Sequence, residues 1–441
     1  MSAQDSHPLM SRDEIVRAMA RPLPRSLSVF CAVLAAIGAV VFLVGALTGD
    51  NRAWQALHYN WMFFTTVSQA AVVIVAVQRI TTARWSRPIV RLLEGYVAFL
   101  PVAFVLLIVI VLGKSHIFPW ALAGVAVPEK KKWLDGTFFT VREIVLFAII
   151  LWLSLWYIYT SVRLDVGLLP EGGAEWAKGI RARMRAGFRD ERREIHSTHS
   201  LQGTLAVVLV LCFGFFYTVF AWDLSMSVDV HFQSTLYSWW WFMGGWLGAM
   251  ASWSLLTIWW RRYLGAYDLI NDNHFHDLGK LVFAFTAFWG YLTFGQYLVI
   301  WYGNMGEETH YMHLRLVAPW MTPTLIVVFL LWVLPFFGLM SRAAKVYLPT
   351  FILFSLCSLV GLWLLRYLET YPTIYAGSST VPFGIWEIGI TLGFVGAWGL
   401  CYAAFMNAFP RARVTLMTSP FRDEVQVPVN PETMEPLPAH E

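Results

Sequence analysis

Ten stretches of mostly apolar residues punctuate the chain, at 27–47, 58–79, 92–113, 138–162, 203–222, 236–260, 280–300, 317–340, 346–366 and 385–408. Each is near the roughly 20 residues that an α-helix needs to cross a bilayer. Between them run short polar connections such as TTARWSRP (81–88) and RRYLGAYDLINDNHFHDLGK (261–280). The pattern predicts an all-α integral membrane protein of about ten transmembrane helices. The longest connection between spans, 163–200, divides them four and six. Spans two to five and six to nine read as two four-helix bundles, with spans one and ten flanking, an architecture that builds sites in bundle cores. The resulting segments are a polar N-terminal stretch 1–26, a flanking span and loop 27–57, a first bundle 58–222, a second bundle 236–366, a flanking span 385–408 and a tail 409–441. The first apolar run lacks an A-x-A cleavage pattern, so no removable signal peptide is expected.

Charge sets the orientation. Of the 32 basic residues, 24 fall in the segments before 27, 79–91, 163–193, 261–280, 342–345 and after 409. Six fall on the other side: Arg52, Lys114, Lys130, Lys131, Lys132 and Arg315. The positive-inside rule then places both termini in the cytoplasm, with an even number of spans in a cytoplasmic membrane. Composition agrees with this class. Of 441 residues 58% are apolar and 14% charged, against about a quarter charged in soluble domains. A net charge of +4 is too small to point to nucleic acid. The aromatic load of 23 Trp, 32 Phe and 17 Tyr suits interfacial belts.

Redox and metal ligands are not legible. Cys31, Cys212, Cys357 and Cys401 all lie in apolar runs, with no C-x-x-C and no haem-attachment motif. No histidine lies mid-span. His7, His196, His199, His274, His276 and His440 group with the cytoplasmic segments, and His58, His116, His231, His310 and His313 with the outer ones. Axial haem ligation needs a facing pair at matching depth, and none is offered. The pairs His196/His199 and His310/His313 read as surface histidines rather than metal sites.

Ionisable residues inside spans are costly and are site candidates. Glu94 lies near the cytoplasmic end of span three, Arg142 and Glu143 in the outer half of span four, Arg366 and Glu369 at the outer end of span nine, and Glu387 at the start of span ten. Arg91 and Glu94, like Arg366 and Glu369, stand three apart and can pair along one helix; a proton-carrying role for Glu94 stays open beside that. Arg142 and Glu143 are neighbours whose side chains diverge by about 100°, so each needs a partner on another helix. Glu387 is the candidate partner of Arg142 by depth. The polar stretch 271–280 supplies N-cap residues Asn271, Asp272 and Asn273 for span seven. It also holds His276, Asp277 and Lys280, a candidate proton entry leading through Glu94 towards Glu143 and Glu387.

Five stretches carry a resemblance: GKSHIFPW (113–120), KKWLDGTFFTVRE (131–143), MSVDVHFQSTLYSWWWF (226–242), NDNHFHDLGKLVFAF (271–285) and FGQYLVIWYGNMGEET (294–309). They resemble a membrane component of the bacterial alternative complex III, one of the NrfD-like (polysulfide-reductase) membrane proteins. The likeness is clearest over 113–310; residues 1–55 and those after 410 carry none of it. One departure is Phe232, where the family pattern leads one to expect Trp after His231. The resemblance implies two four-helix bundles in a quinol-oxidising complex that passes electrons to a cytochrome c or a terminal oxidase. It implies a sibling NrfD-like subunit as partner, with iron–sulfur and multihaem cytochrome c subunits on the outer face and lipids around. It implies menaquinone or another quinone as the lipid-soluble substrate, oxidised in the sibling subunit, with no haem or iron–sulfur cluster in this chain. Arg142 and Glu143 are the candidates here for a quinone-proximal position. A stand-alone proton-coupled transporter is the alternative reading, and a haem-bearing cytochrome b subunit a third.

Overall fold

The computed structural model describes residues 11, 13, 14 and 21–425. His7, Arg12, Arg17, His440 and the tail beyond 425 lie outside them. The described chain is all-α, with no strand. Nine of its helices are long and apolar enough to cross a membrane: α1 (Arg25–Leu47), α2 (Asn51–Ile80), α3 (Val90–Leu112), α4 (Gly136–Leu168), α5 (Glu191–Val228), α7 (Asp272–Gly303), α8 (Met321–Gly338), α9 (Leu348–Ile374) and α10 (Ile385–Ala408). Between α5 and α7 runs α6 (Tyr237–Leu264), 28 residues and so about 42 Å long. Seven tryptophans (239, 240, 241, 246, 253, 259 and 260) run along it. It packs against α2, α7 and α9.

Two groups of four helices form. In the first, α2 packs on α3 and α5, and α4 on α3 and α5; in the second, α6 packs on α7 and α9, and α8 on α9 and α7. The groups meet where α6 crosses α2, so closely that a Cβ at Gly245 would stand 2.8 Å from Thr66. Buried along nearly its whole length, α2 is the axle of the molecule. By contrast α1 leaves most of its surface open and leans on α10. There Gly38 and Gly393 bring the backbones together: a Cβ on Gly38 would lie 2.2 Å from the Gly393 Cα. Small residues permit this approach, and dispersion and Cα–H contacts stabilise it where lipid offers no hydrophobic drive.

Proline shapes two helices. Pro101 has no N–H to give Val97, and the turn before it tightens to 3₁₀ over Gly95–Phe99. Pro335 stands just past a π-turn, Phe329–Val333, in α8. A second π-turn, Ala221–Ser225, interrupts α5 without proline.

Several helices outrun the apolar stretches. The start of α2 is Asn51 rather than 58, because the Asp50 carboxylate accepts from the Arg52 N–H and caps it. With α4 running to Leu168 and α5 beginning at Glu191, the long connection expected at 163–200 shrinks to 169–190, itself partly helical at Lys178–Arg185. A helix closes its own backbone bonds and needs no apolar side chains beyond the hydrocarbon.

The helix ends define two faces. The basic end holds residues 81–89, 169–190, 265–271, 339–347 and 409–425; the far end holds 48–50, 113–135, 229–236, 304–320 and 375–384. The described chain enters and leaves at the basic end. There Tyr263 donates to the Pro22 carbonyl at 2.7 Å, and Arg411 donates to that of Arg21.

Candidate functional site

The carboxylates buried to 1% exposure or less among the described residues collect in three clusters. At the basic end, Arg91 of α3 pairs with Glu94 one turn on and with Asp165 of α4. Ser161 donates to Glu94 at 2.8 Å, and the Arg413 guanidinium stands 3.6 Å from it. Asp165 accepts from the backbone and the hydroxyl of Thr415, at 2.9 and 2.6 Å. Glu94 thus has the helix-end partner that its spacing predicts, but inside the protein and within a larger set.

At the far end of α10, the Glu387 carboxylate receives a bidentate Arg52, at 3.1 and 2.8 Å, the Tyr371 hydroxyl at 2.9 Å and the Gly384 N–H at 2.7 Å. This corrects the expectation that Glu387 serves Arg142. Arg52 belongs to the first turn of α2 rather than to an outer loop, and reaches Glu387 from there.

The third cluster is built on the π-turn of α5, with Arg142, Glu143 and Glu369 around it. Widening the helix by one residue turns consecutive side chains to different neighbours. Asp223 faces α4: Arg142 donates to it through Nε at 2.7 Å, with Nη2 also 2.7 Å away as an ion pair and donating to the Trp133 carbonyl at 3.2 Å, and Trp133 donates to it through its indole at 2.6 Å. The Arg142 guanidinium lies 4.0 Å over the Trp133 ring and 4.5 Å over Phe138. Glu143 is fully buried against Asp223, and among the described residues no donor reaches either of its oxygens. Leu224 brings its backbone beside His58 of α2. Ser225 faces the second bundle, 2.6 Å from the Tyr237 hydroxyl, and donates to Glu369 at 2.9 Å. Glu369 also accepts from Trp241 at 2.9 Å and from Arg366 at 2.6 Å, the pair its spacing predicts. One five-residue turn therefore joins the polar interiors of both bundles.

Two carboxylates, Glu143 and Asp223, share one guanidinium here. A second uncompensated charge in so dry a place would cost several kcal/mol, a cost that one proton shared by the two carboxyls would remove. Such a pair can take up and release one proton.

His58 corrects the histidine reading. It lies not at the outer surface but fully buried on α2, its ring 5.2 Å from Phe118. His274 is also buried, and closes a capping box with Asn271. Asp277 pairs with Lys280 at 2.7 Å at the start of α7, and His276 sits among Lys280, Arg342, Asp277 and Lys345. No hydrogen bond or ion pair among the described residues joins that group to Glu94, or Glu94 to Glu143 or Glu387. The six therefore belong to four sets of direct contacts. His196 pairs with Glu424 at 3.1 Å at the surface. Phe232, the departure noted in the sequence, is buried and stacks on Tyr311 at 3.9 Å.

Asp165, Asp223, Arg52, His58 and Ser225 are the members that the apolar pattern misses. Each lies on a predicted span edge or a short way outside it. The signal that finds them is helix continuity past the apolar run, as with the Asp50 cap. Among the described residues no group of three or more His, Cys, Asp and Glu gathers to hold a metal. The chain matches no family model and no curated protein.

Proposed function

We propose that this multi-pass membrane protein is a subunit of a respiratory quinol:electron-acceptor oxidoreductase in a bacterial cytoplasmic membrane. In this reading it scaffolds the membrane sector beside a sibling NrfD-like subunit, under iron–sulfur and multihaem cytochrome c subunits. Quinol oxidation takes place in the sibling. This chain contributes a proton-exchanging group at the far end. The observation that carries the proposal is the Glu143–Asp223–Arg142 cluster, set on a π-turn that reaches Glu369 in the other bundle. Ionisable groups deep in apolar helices mark proton relays, and π-turns recur at functional sites. The motif resemblance over 113–310 supplies the partners. It contains Arg142, Glu143 and Asp223, and stops before Glu369.

The test is gentle extraction through a tag on this chain, followed by haem and iron analysis of what co-migrates. Haem-bearing and iron–sulfur partners in fixed ratio are expected; a lone, stable chain overturns the subunit reading. Within an intact complex, Glu143→Gln should lower the protons moved per electron while electron transfer by the sibling persists. An unchanged ratio removes Glu143 from the path.

A further inference from the structure

At the basic end a cavity of about 70 Å³ lies between α2, α4, α5 and the closing segment that carries Arg413 and Thr415. Through Arg413 it borders the neutralised set around Glu94, without belonging to it. At about 10–15 Å³ per water, the cavity has room for roughly five waters or one small polyatomic ion, and none for an acyl chain. Thr82, one of its lining residues, is exposed, so the cavity opens to the polar end of the molecule.

Its charge is one-sided. Among the described residues the lining holds Arg79, Arg87, Arg413 and His199, and no carboxylate. The carboxylates next to it are already matched, Glu94 and Asp165 by Arg91 and Arg413. Arg79, in the last turn of α2, has no such match. Its Nη2 donates to the His199 carbonyl at 2.8 Å, and the nearby charge of Arg413 opposes its own. A half-buried guanidinium with only a carbonyl and a like charge beside it is destabilising, and an anion in the cavity removes that cost. The hydrogen-bond balance is one-sided as well. The Nε groups of Arg79 and Arg413 and the Nε2 of Gln78 are buried with no acceptor among the described residues. The Gln78 carbonyl oxygen is taken by the Ser86 hydroxyl, which leaves that amide as a donor only. Donors are therefore in excess on the α2 wall and on the closing segment alike.

From these features we infer that the cavity binds a phosphate-class oxyanion, as a free ion or as the headgroup of an anionic lipid whose chains stay outside. A tetrahedral oxyanion brings negative charge to Arg79 and enough oxygens to accept from both walls at once. Guanidinium groups suit it, because their planar forks match phosphate oxygens. The bound ion joins the end of α2 to the closing segment, which the Thr415 bonds to Asp165 anchor from the other side. The site stands apart from the Glu143 cluster and does not depend on assembly with redox subunits.

The test uses the full protein in its native assembly, held in dodecyl maltoside and washed free of phosphate and lipid. The readout is amide exchange over residues 411–418, which a bound ion ties to α2. Inorganic phosphate at constant ionic strength is one probe, and dioleoyl phosphatidylglycerol is the other, with dioleoylglycerol as its control without a headgroup. Saturable slowing of exchange is expected, by phosphate where the source is a soluble ion and by the phospholipid alone where it is a lipid headgroup. Arg79→Gln, which removes the unmatched charge and leaves the Glu94 set intact, should weaken that response about ten- to hundredfold. Arg79→Lys, which keeps the charge and loses the fork, should fall between the two. It serves as the second variant where the loss of charge disturbs folding. Absence of saturable slowing with both probes, equal slowing by chloride or dioleoylglycerol, or a full response in the folded variants overturns the inference.

Discussion

Arg91–Glu94 on α3 and Arg366–Glu369 on α9 are the same device, a cation and a carboxylate three residues apart, buried to 1% exposure or less. Their surroundings differ. Around Arg91 stand two carboxylates and a second cation, Arg413, two charges of each sign. Every carboxylate oxygen there has a partner: Arg91 and Ser161 on Glu94, Arg91 and Thr415 on Asp165. Arg366 pairs with one carboxylate among the described residues, whose other donors are neutral, Ser225 and Trp241. Beside the first pair the protein is closed by its own segment, Val414–Thr418, packed on α4; beside the second lies a cavity of about 610 Å³. A closed and neutralised cluster fixes chain to chain. A cluster finished by hydroxyl and indole next to open space keeps groups able to change partner. Position three apart in the sequence tells only that a pair can form, and the neighbours decide its use.

The largest effect should come from breaking the closed cluster. Arg91→Met leaves Glu94 and Asp165 buried with one guanidinium, Arg413 at 3.6 Å from Glu94, between them, a loss of about 3–5 kcal/mol. Thermal unfolding in mild detergent should show a steep fall in the midpoint, or no folded protein at all. Arg366→Met strands one carboxylate that still has Ser225 and Trp241, and one proton neutralises it. Its loss should be smaller, about 2–3 kcal/mol. Equal losses from the two variants would dissolve the distinction between the clusters.

Much of this contrast is hidden in the sequence for a definable reason. The apolar runs locate the spans, and the three-residue spacing locates both pairs. Apolar counting ends where lipid ends, whereas a helix continues into its hydrated ends. Asp165 falls just past the predicted end of span four, where the apolar pattern marks a loop. Asp223 falls directly after that of span five, on a π-turn that no local residue preference announces. The apolar pattern also puts Arg52 in a loop, although Asp50 stands where a helix cap belongs, and so depth alone assigns Glu387 to the wrong arginine. The tertiary fact that the segment after 410 returns to α4 leaves no periodic trace, since Arg413 and Thr415 stand in a stretch of mixed polarity.

Hydroxyl deletions sharpen the comparison at smaller scale. Thr415→Val removes the 2.6 Å bond to Asp165 and leaves the backbone bond at 2.9 Å. Losing a hydrogen bond to a buried charge should cost about 1.5–3 kcal/mol. Ser225→Ala removes the bridge between Tyr237 and Glu369. There Trp241 and Arg366 still hold the carboxylate, and the expected cost is at the lower end of that range, about 1.5 kcal/mol. Unfolding midpoints of the two variants, measured side by side, check the order; the reverse order would mark the Glu369 cluster as the tighter one.

The smallest effect belongs to the outer edge of the same closing segment. Glu424 accepts from Arg192 at 2.7 Å and from His196 at 3.1 Å, on the surface of α5. The His196 hydrogen bond, then that of Arg192, holds its carboxyl below the ordinary glutamate value of 4.5. A depressed carboxyl contributes its stability fully above the unfolded value and loses it as pH falls through the folded one. Glu424→Gln should therefore leave global unfolding unchanged at pH 7, because Asp165 and Thr415 anchor the segment from within. It should, however, speed amide exchange in residues 419–425. That excess over the natural sequence should shrink as pH drops below about 4.5 and vanish once pH has fallen through the lower folded value, where the carboxylate of the natural sequence is itself protonated. Exchange that stays faster in the variant at acidic pH would mean that Glu424 holds the segment by shape, and that the charge of α5 takes no part in closing the cluster.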